Sequence, residues 1–289
     1  MLAKAIESLE AEIDGLKDRV ALVIKEIYAY LSLPSAKTKL RPRIMEHKGY
    51  STFSIVWQKL VYFDFINRRA KFKVIRKGPT YLVPRSRLFS HSRNCPDWEI
   101  EYLWEKELGF ARVRMKLALL SQALSALKKY VAIEPETAPE PCDCEARQVT
   151  AVAAMEPQKV VTVLVGALRN LKERACREVA EVFAHLAAEG RSALRPRIMS
   201  GKAADAFLVE WVRPNGSDPA TGQAVERVIS REGRRSIRRS RLLAHCRDCD
   251  EMEQECIWEK ESGFGRVRRQ VDLLGQATRA LKQYIKEAD

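Results

Sequence analysis

"LRPRIM" occupies residues 40–45, and the same six residues return at 194–199, 154 positions later. Working outward at that constant offset aligns Leu40–Val131 on Leu194–Ile285 without a gap, and 39 of the 92 pairs are identical. The preceding segments also correspond, at an offset of 155, with Leu16-Lys17-Asp18-Arg19 on Leu171-Lys172-Glu173-Arg174. A period this long exceeds the roughly 20–50 residues of solenoid repeats. The sequence therefore predicts two tandem domains, residues 1–133 and 158–289. The 134–157 linker between them, EPETAPEPCDCEARQVTAVAAMEP, is rich in proline, alanine and acids. It has no apolar period, so it reads as semi-extended chain.

Each half reads helix, strands, helix. In the first helix Ile6, Leu9, Ile13, Leu16, Val20, Val23, Ile27 and Tyr30 alternate steps of three and four, an a/d heptad seam. Val161, Leu164, Leu168, Leu171, Ala175, Val179, Val182 and Leu186 do the same in the second half. The closing helices carry Phe110, Val113, Leu117, Leu120, Leu124, Leu127 and Val131, and Phe264, Val267, Val271, Leu274, Thr278, Leu281 and Ile285. Asn94 with Asp97, and Asp248 with Glu251, mark their starts as capping pairs. Between the helices the period falls to two: Phe53, Ile55 and Trp57, and Phe207, Val209 and Trp211, read as half-buried strands. A turn at 67–70 or around Asn215-Gly216 leads to a second strand, Phe72–Arg76 or Glu226–Ser230, and a third short one is expected near Tyr81–Val83. The expected fold is α+β: two tandem repeats, each a long helix, a small antiparallel sheet and a second long helix. The helices would pair antiparallel as a coiled coil or a joint four-helix bundle.

Charge follows this organisation. The chain carries net +13. Leu33–Arg93 holds 15 Lys/Arg against Glu46 and Asp64, and Gly190–Arg247 holds 13 against five acids, so the remainder is acidic. Two basic islands on the sheet regions point to a polyanion. The expected nucleic-acid contacts in the first half are Arg41, Arg43, Arg68, Arg69, Lys71, Lys73, Arg76, Lys77, Arg85 and Arg87. In the second half they are Arg195, Arg197, Arg231, Arg234, Arg235, Arg238, Arg239 and Arg241. Guanidinium groups grip phosphate bidentately. The competing reading is a solvated basic surface, or arginines neutralised by the acidic helices. Arg41 and Arg43 in particular could instead clasp Glu105 and Glu107.

Other motifs favour no chemistry. WEKE at 104–107 and 258–261, with Glu99, Glu101, Glu253 and Glu255, supplies paired carboxylates of the kind acid–base work or Mg²⁺ binding needs. Salt-bridge and helix-dipole roles explain them equally well. HSRNC at 91–95 and HCRDC at 245–249 repeat a His and a Cys. His245, Cys246, Cys249 and Cys256 could form a zinc set, but the first half keeps only His91 and Cys95, and packing at a helix start explains both pairs. No phosphate loop or dinucleotide fingerprint occurs. The expectation is a non-enzyme without cofactor or metal. Seven cysteines without a signal-like start, and no long apolar run, suggest a reducing cytoplasm and no membrane partner.

The order LRPRI, a Trp-bearing strand, a basic segment, R-S-R, then W-E-K-E and G-F-x-R-V-R resembles the MobI family. The resemblance covers Leu40 to about Arg114 and Leu194 to about Arg268. It implies an auxiliary protein of conjugative transfer, needed to start mobilisation at the transfer origin beside a separate relaxase. Members are expected to carry one such unit, so two in tandem is a departure. The resemblance carries over no catalytic residue. The expected partner is double-stranded DNA, with other DNA-processing proteins alongside. An RNA-binding protein and a coiled-coil adaptor between proteins are the alternatives.

Overall fold

The structure, a computed structural model, describes residues 1–33, 35–47, 52–64, 69–78, 80–91, 95–133, 155–189, 194–201, 206–217, 224–229, 231, 236–247 and 249–287. Its elements run α1 (Leu2–Leu31), β1 (Leu40–Glu46), β2 (Phe53–Asp64), β3 (Arg69–Ile75), α2 (Arg85–Phe89), α3 (Asp97–Val131), then α4 (Pro157–Glu189), β4 (Arg195–Ser200), β5 (Phe207–Ser217), β6 (Ala224–Val228), α5 (Arg239–Leu243) and α6 (Glu251–Lys286). The six-element order of the first half recurs in the second. Two compact units result. Among the described residues, the first gathers 3–124 with 155–157 and 280–287, and the second gathers 158–279 with 1–2 and 125–133. Most of the expected linker, 134–154, lies outside the described residues.

In each sheet the central strand is β2 or β5, flanked antiparallel by the other two. "LRPRIM" is itself the first edge strand, which is where proline belongs, since Pro42 and Pro196 can give no ladder hydrogen bond inward. This corrects the expectation of a strand at Tyr81–Val83. There the chain bends and the Gly78 amide donates to the Leu82 carbonyl (3.4 Å). Asn215-Gly216 also differs from expectation: β5 continues through it to Ser217, with a register shift between Pro214 and Ser217 absorbing the irregular chain.

Strand parity sorts the side chains. Leu40 and Pro42 are buried with Phe53, Ile55, Trp57 and Ile75, and Pro42 lies opposite Trp57 in register. Arg41 and Arg43 fall on the opposite face, across from Gln58 and Val56. Tyr28 of α1 ties β1 to the helix by donating its hydroxyl to the Pro42 carbonyl (2.7 Å).

Within the first unit α1 and α3 run antiparallel. Tyr30 stacks on Tyr102 at 4.1 Å between ring centroids, Glu26 meets Lys106 at 3.6 Å, and Leu16 and Val20 share a groove with Phe110 and Val113. The buried stripe of α1 is Ala5, Leu9, Ile13, Leu16, Val20, Ile24, Ile27 and Leu31. Steps of four outnumber steps of three, so Val23 and Tyr30 of the expected seam are only half-buried, beside Ile24 and Leu31. An untwisted helix drifts about 20° per heptad against a strict 3.5-residue seam, and this stripe follows that drift. In α4 every expected seam residue except Val179 is buried. The last turns of α6 belong to the first unit, where Tyr284 donates its hydroxyl to Glu12 of α1 (2.6 Å). Burial and that acceptor push the Tyr284 phenol well above its ordinary range. At the start of α6 the Asp250 carboxylate accepts from the Glu253 amide (2.9 Å); the expected caps Asp248 and Asn94 lie outside the described residues.

Candidate nucleic-acid interface

The acids of the two WEKE segments are split by their helical positions. Glu107 and Glu261 sit on the core stripes of α3 and α6 and are fully buried, whereas Glu105 and Glu259 face out. Glu107 accepts from the Trp57 indole (2.7 Å), the Val83 amide (2.6 Å) and both terminal nitrogens of Arg114 (2.7 and 3.1 Å). Arg114 also donates to the carbonyls of Ile55 (3.0 Å) and Tyr81 (2.9 Å). Glu261 accepts from the Trp211 indole (2.9 Å), the Ile237 amide (2.7 Å) and Arg268 (2.8 and 3.0 Å), and Arg268 reaches the Val209 carbonyl (2.7 Å). Each ion pair locks sheet, loop and long helix together. A carboxylate this saturated with donors is a structural anchor. Glu99 is likewise buried and accepts from the Lys37 and Thr38 amides (3.1 and 2.9 Å), holding the approach to β1.

The expected clasp of Arg41 or Arg43 on Glu105 or Glu107 does not form. Strand parity turns both arginines away from the core face, and Arg114, two turns beyond Glu107 on one stripe, takes the carboxylate instead. Arg41 folds back on its own strand entrance, donating to the Thr38 and Leu40 carbonyls (3.2 and 2.9 Å). Arg41→Ala should therefore cost about 1 kcal/mol of stability, the worth of one such bond set. Polyanion affinity should stay within about twofold, checked by urea unfolding beside a binding titration.

Several of the expected cations have acidic or aromatic partners among the described residues. Arg85 pairs with Glu101 and Arg239 with Glu255, the same geometry in both halves. Arg197 bridges Glu226 (2.7 Å) and Glu210 (3.6 Å), and Arg231 approaches Glu210 (3.9 Å). Arg195 lies over the Phe183 ring at 5.7 Å. Lys71, Lys73, Arg76, Lys77 and Arg87 are exposed around β3 and α2, Arg43 is exposed on β1, and Arg238 is exposed before α5. Arg241 is half-buried on α5. Arg68, Arg234 and Arg235 lie outside the described residues, as does the side chain of Arg69.

Three cations that the sequence reading did not single out join the set: Lys59, Arg213 and Arg227. Each was legible by parity, two residues along a strand from a buried Trp or Ile on the same face. Arg213, Arg227, Arg241 and His245 line one cavity of about 420 Å³ in the second unit. Burial first, and then those three arginines, hold the His245 imidazole below its ordinary pKa. His91 is lowered in the same way, by burial and then by Lys59 and Lys73.

The cysteines turn elsewhere. Cys246 is buried with its thiol 3.6 Å from the Leu242 carbonyl, and burial, with Cys249 beside it, pushes that thiol up to about 12. A thiol held protonated in this way is a weak nucleophile at neutral pH. Among the described residues no three His, Cys, Asp or Glu side chains gather as a metal set, and no described helix is long and apolar enough to cross a membrane.

No curated protein and no solved structure matches the chain. The family model described as "MobI protein" matches residues 167–282, from within α4 to near the end of α6. That span holds the whole β4–β6 sheet, the Glu261–Arg268 lock and the His245 cavity. The second half of this chain is MobI-like.

Proposed function

We propose that the protein is a non-catalytic DNA-binding accessory factor of conjugative mobilisation, with two basic sheet surfaces that grip duplex DNA. The MobI-like match supports the mobilisation role. The observation that carries the DNA-binding reading is the run of exposed cations on β3 and the segment after it, Lys71, Lys73, Arg76 and Lys77, with Arg238 before α5, which have no carboxylate partner among the described residues. Like charges crowded on one small sheet edge repel one another, and a polyphosphate backbone relieves that repulsion. In this reading the halves are tandem copies, and two surfaces on one chain gain affinity through effective concentration. Glu99, Glu107 and Glu261 anchor the sheets, Glu101 and Glu255 neutralise arginines, and no catalytic group is invoked.

Competition against a labelled duplex at fixed salt tests the reading. Unlabelled duplex DNA is expected to compete at least tenfold better than duplex RNA or single strands. Preferential competition by RNA would move the assignment to an RNA-binding protein. Absence of any nucleic-acid complex would overturn it in favour of a protein adaptor.

A further inference from the structure

We infer that each half carries a discrete pocket for one phosphoryl group, built from a cross-strand pair of like charges, an arginine of the short helix and the histidine that follows it. In the second half these are Arg213, Arg227, Arg241 and His245. In the first half the residues at the same offset are Lys59, Lys73, Arg87 and His91.

The register makes the case. Arg213 lies directly opposite Arg227, and Lys59 directly opposite Lys73. Like charges directly across an antiparallel ladder destabilise it. Charge on an edge strand discourages sheet extension, but Lys59 and Arg213 sit on the central strands, where that role does not apply. Both halves nevertheless build the pair, with different residue types; in the second half Arg241 and His245 line the cavity with it, and in the first His91 lies near enough to Lys59 and Lys73 to feel their charge. The neighbouring carboxylates do not relieve it. Glu226 and Glu210 occupy the other strand parity, where they are engaged with Arg197 and Arg231. No acid is among the described residues that line the cavity, whose other walls are Pro214, Asn215, Val228 and Ile229. A cavity of about 420 Å³ accommodates a phosphoryl group with room for the atoms esterified to it. Guanidinium groups converging from β5, β6 and α5 suit a tetrahedral oxyanion. An imidazole whose pKa is held down by burial and then by its cationic neighbours takes up a proton more readily when an anion arrives to offset them.

The pocket chemistry is that of a phosphate mono- or diester. Its source as nucleic-acid backbone rests on the proposed function, and the experiment separates the two. The full chain is titrated with inorganic phosphate while the histidine ring resonances are followed by NMR; His245→Gln and His91→Gln assign two of the four histidines. The expected result is saturable movement of the His245 and His91 signals, with both rings titrating at higher pH when phosphate is present. Arg213→Gln with Arg227→Gln should weaken the His245 response at least tenfold while leaving His91 unchanged. Silent histidines across the titration would overturn the pocket, as would an undiminished response in the double variant. Duplex DNA that binds while the histidines ignore phosphate would leave the functional reading standing without the pocket. Phosphate that titrates both histidines in a protein unable to bind duplex would support the pocket and overturn the functional reading.

Discussion

Arg268→Met is expected to destabilise the second unit by about 3–5 kcal/mol, the usual cost of leaving one partner of a buried ion pair uncompensated. Arg268 is 2% exposed and Glu261 fully buried, so water cannot replace the lost guanidinium. The Val209 carbonyl loses its donor at the same time. Removing both charges, as Glu261→Leu with Arg268→Met, should recover part of the loss, because two desolvated charges disappear together. Recovery stays incomplete because the Trp211 indole and the Ile237 amide would then lack an acceptor, at about 1–3 kcal/mol each. Urea unfolding with an unchanged m value reads the difference. Arg114→Met should behave alike in the first unit, where Glu107, Trp57 and Val83 take the equivalent places. A double variant less stable than Arg268→Met alone would show that the bonds Glu261 accepts from Trp211 and Ile237 outweigh the cost of its unpaired charge, against this account.

Reversing four exposed cations, Lys71, Arg76, Lys77 and Arg238, to Glu should lower duplex affinity by about two to three orders of magnitude at moderate salt. Each lost phosphate contact flattens the log–log salt dependence by about 0.9, so the slope should fall in magnitude by about 3 to 4. Helix content should be unchanged, since all four side chains are exposed. Single replacement of Arg85 or Arg239 should matter far less, because Glu101 and Glu255 already neutralise them. An equal effect from Arg239→Ala alone would mean that its ion pair opens to release a phosphate contact.

How much of this was legible follows from which residues carry two meanings. The alternation Phe53, Ile55, Trp57 announced β2, and the helical apolar rows announced four long helices, because burial of those residues admits few arrangements. The polar core was harder to see. Glu107 and Arg114 look like surface residues by type, and only their places on the stripe with Leu103, Phe110 and Leu117 reveal that they point inward. A Trp one strand away, in need of an acceptor, was the available clue. "LRPRIM" stands out in the sequence as a repeat but not as a sheet edge, because proline alone does not say which neighbour a strand has. The basic islands were visible as composition. Their division into paired and unpaired cations depended on strand parity across β5 and β6, where Glu210 and Glu226 share a face with Arg197, and Arg213 and Arg227 share the other.

The most direct test of the central claim is the affinity of the full chain for duplex DNA measured from about 50 to 200 mM salt. Surfaces that neutralise six to ten phosphates give a log–log slope of roughly −5 to −9. A slope shallower than about −2, or no complex at the lowest salt, would contradict the account.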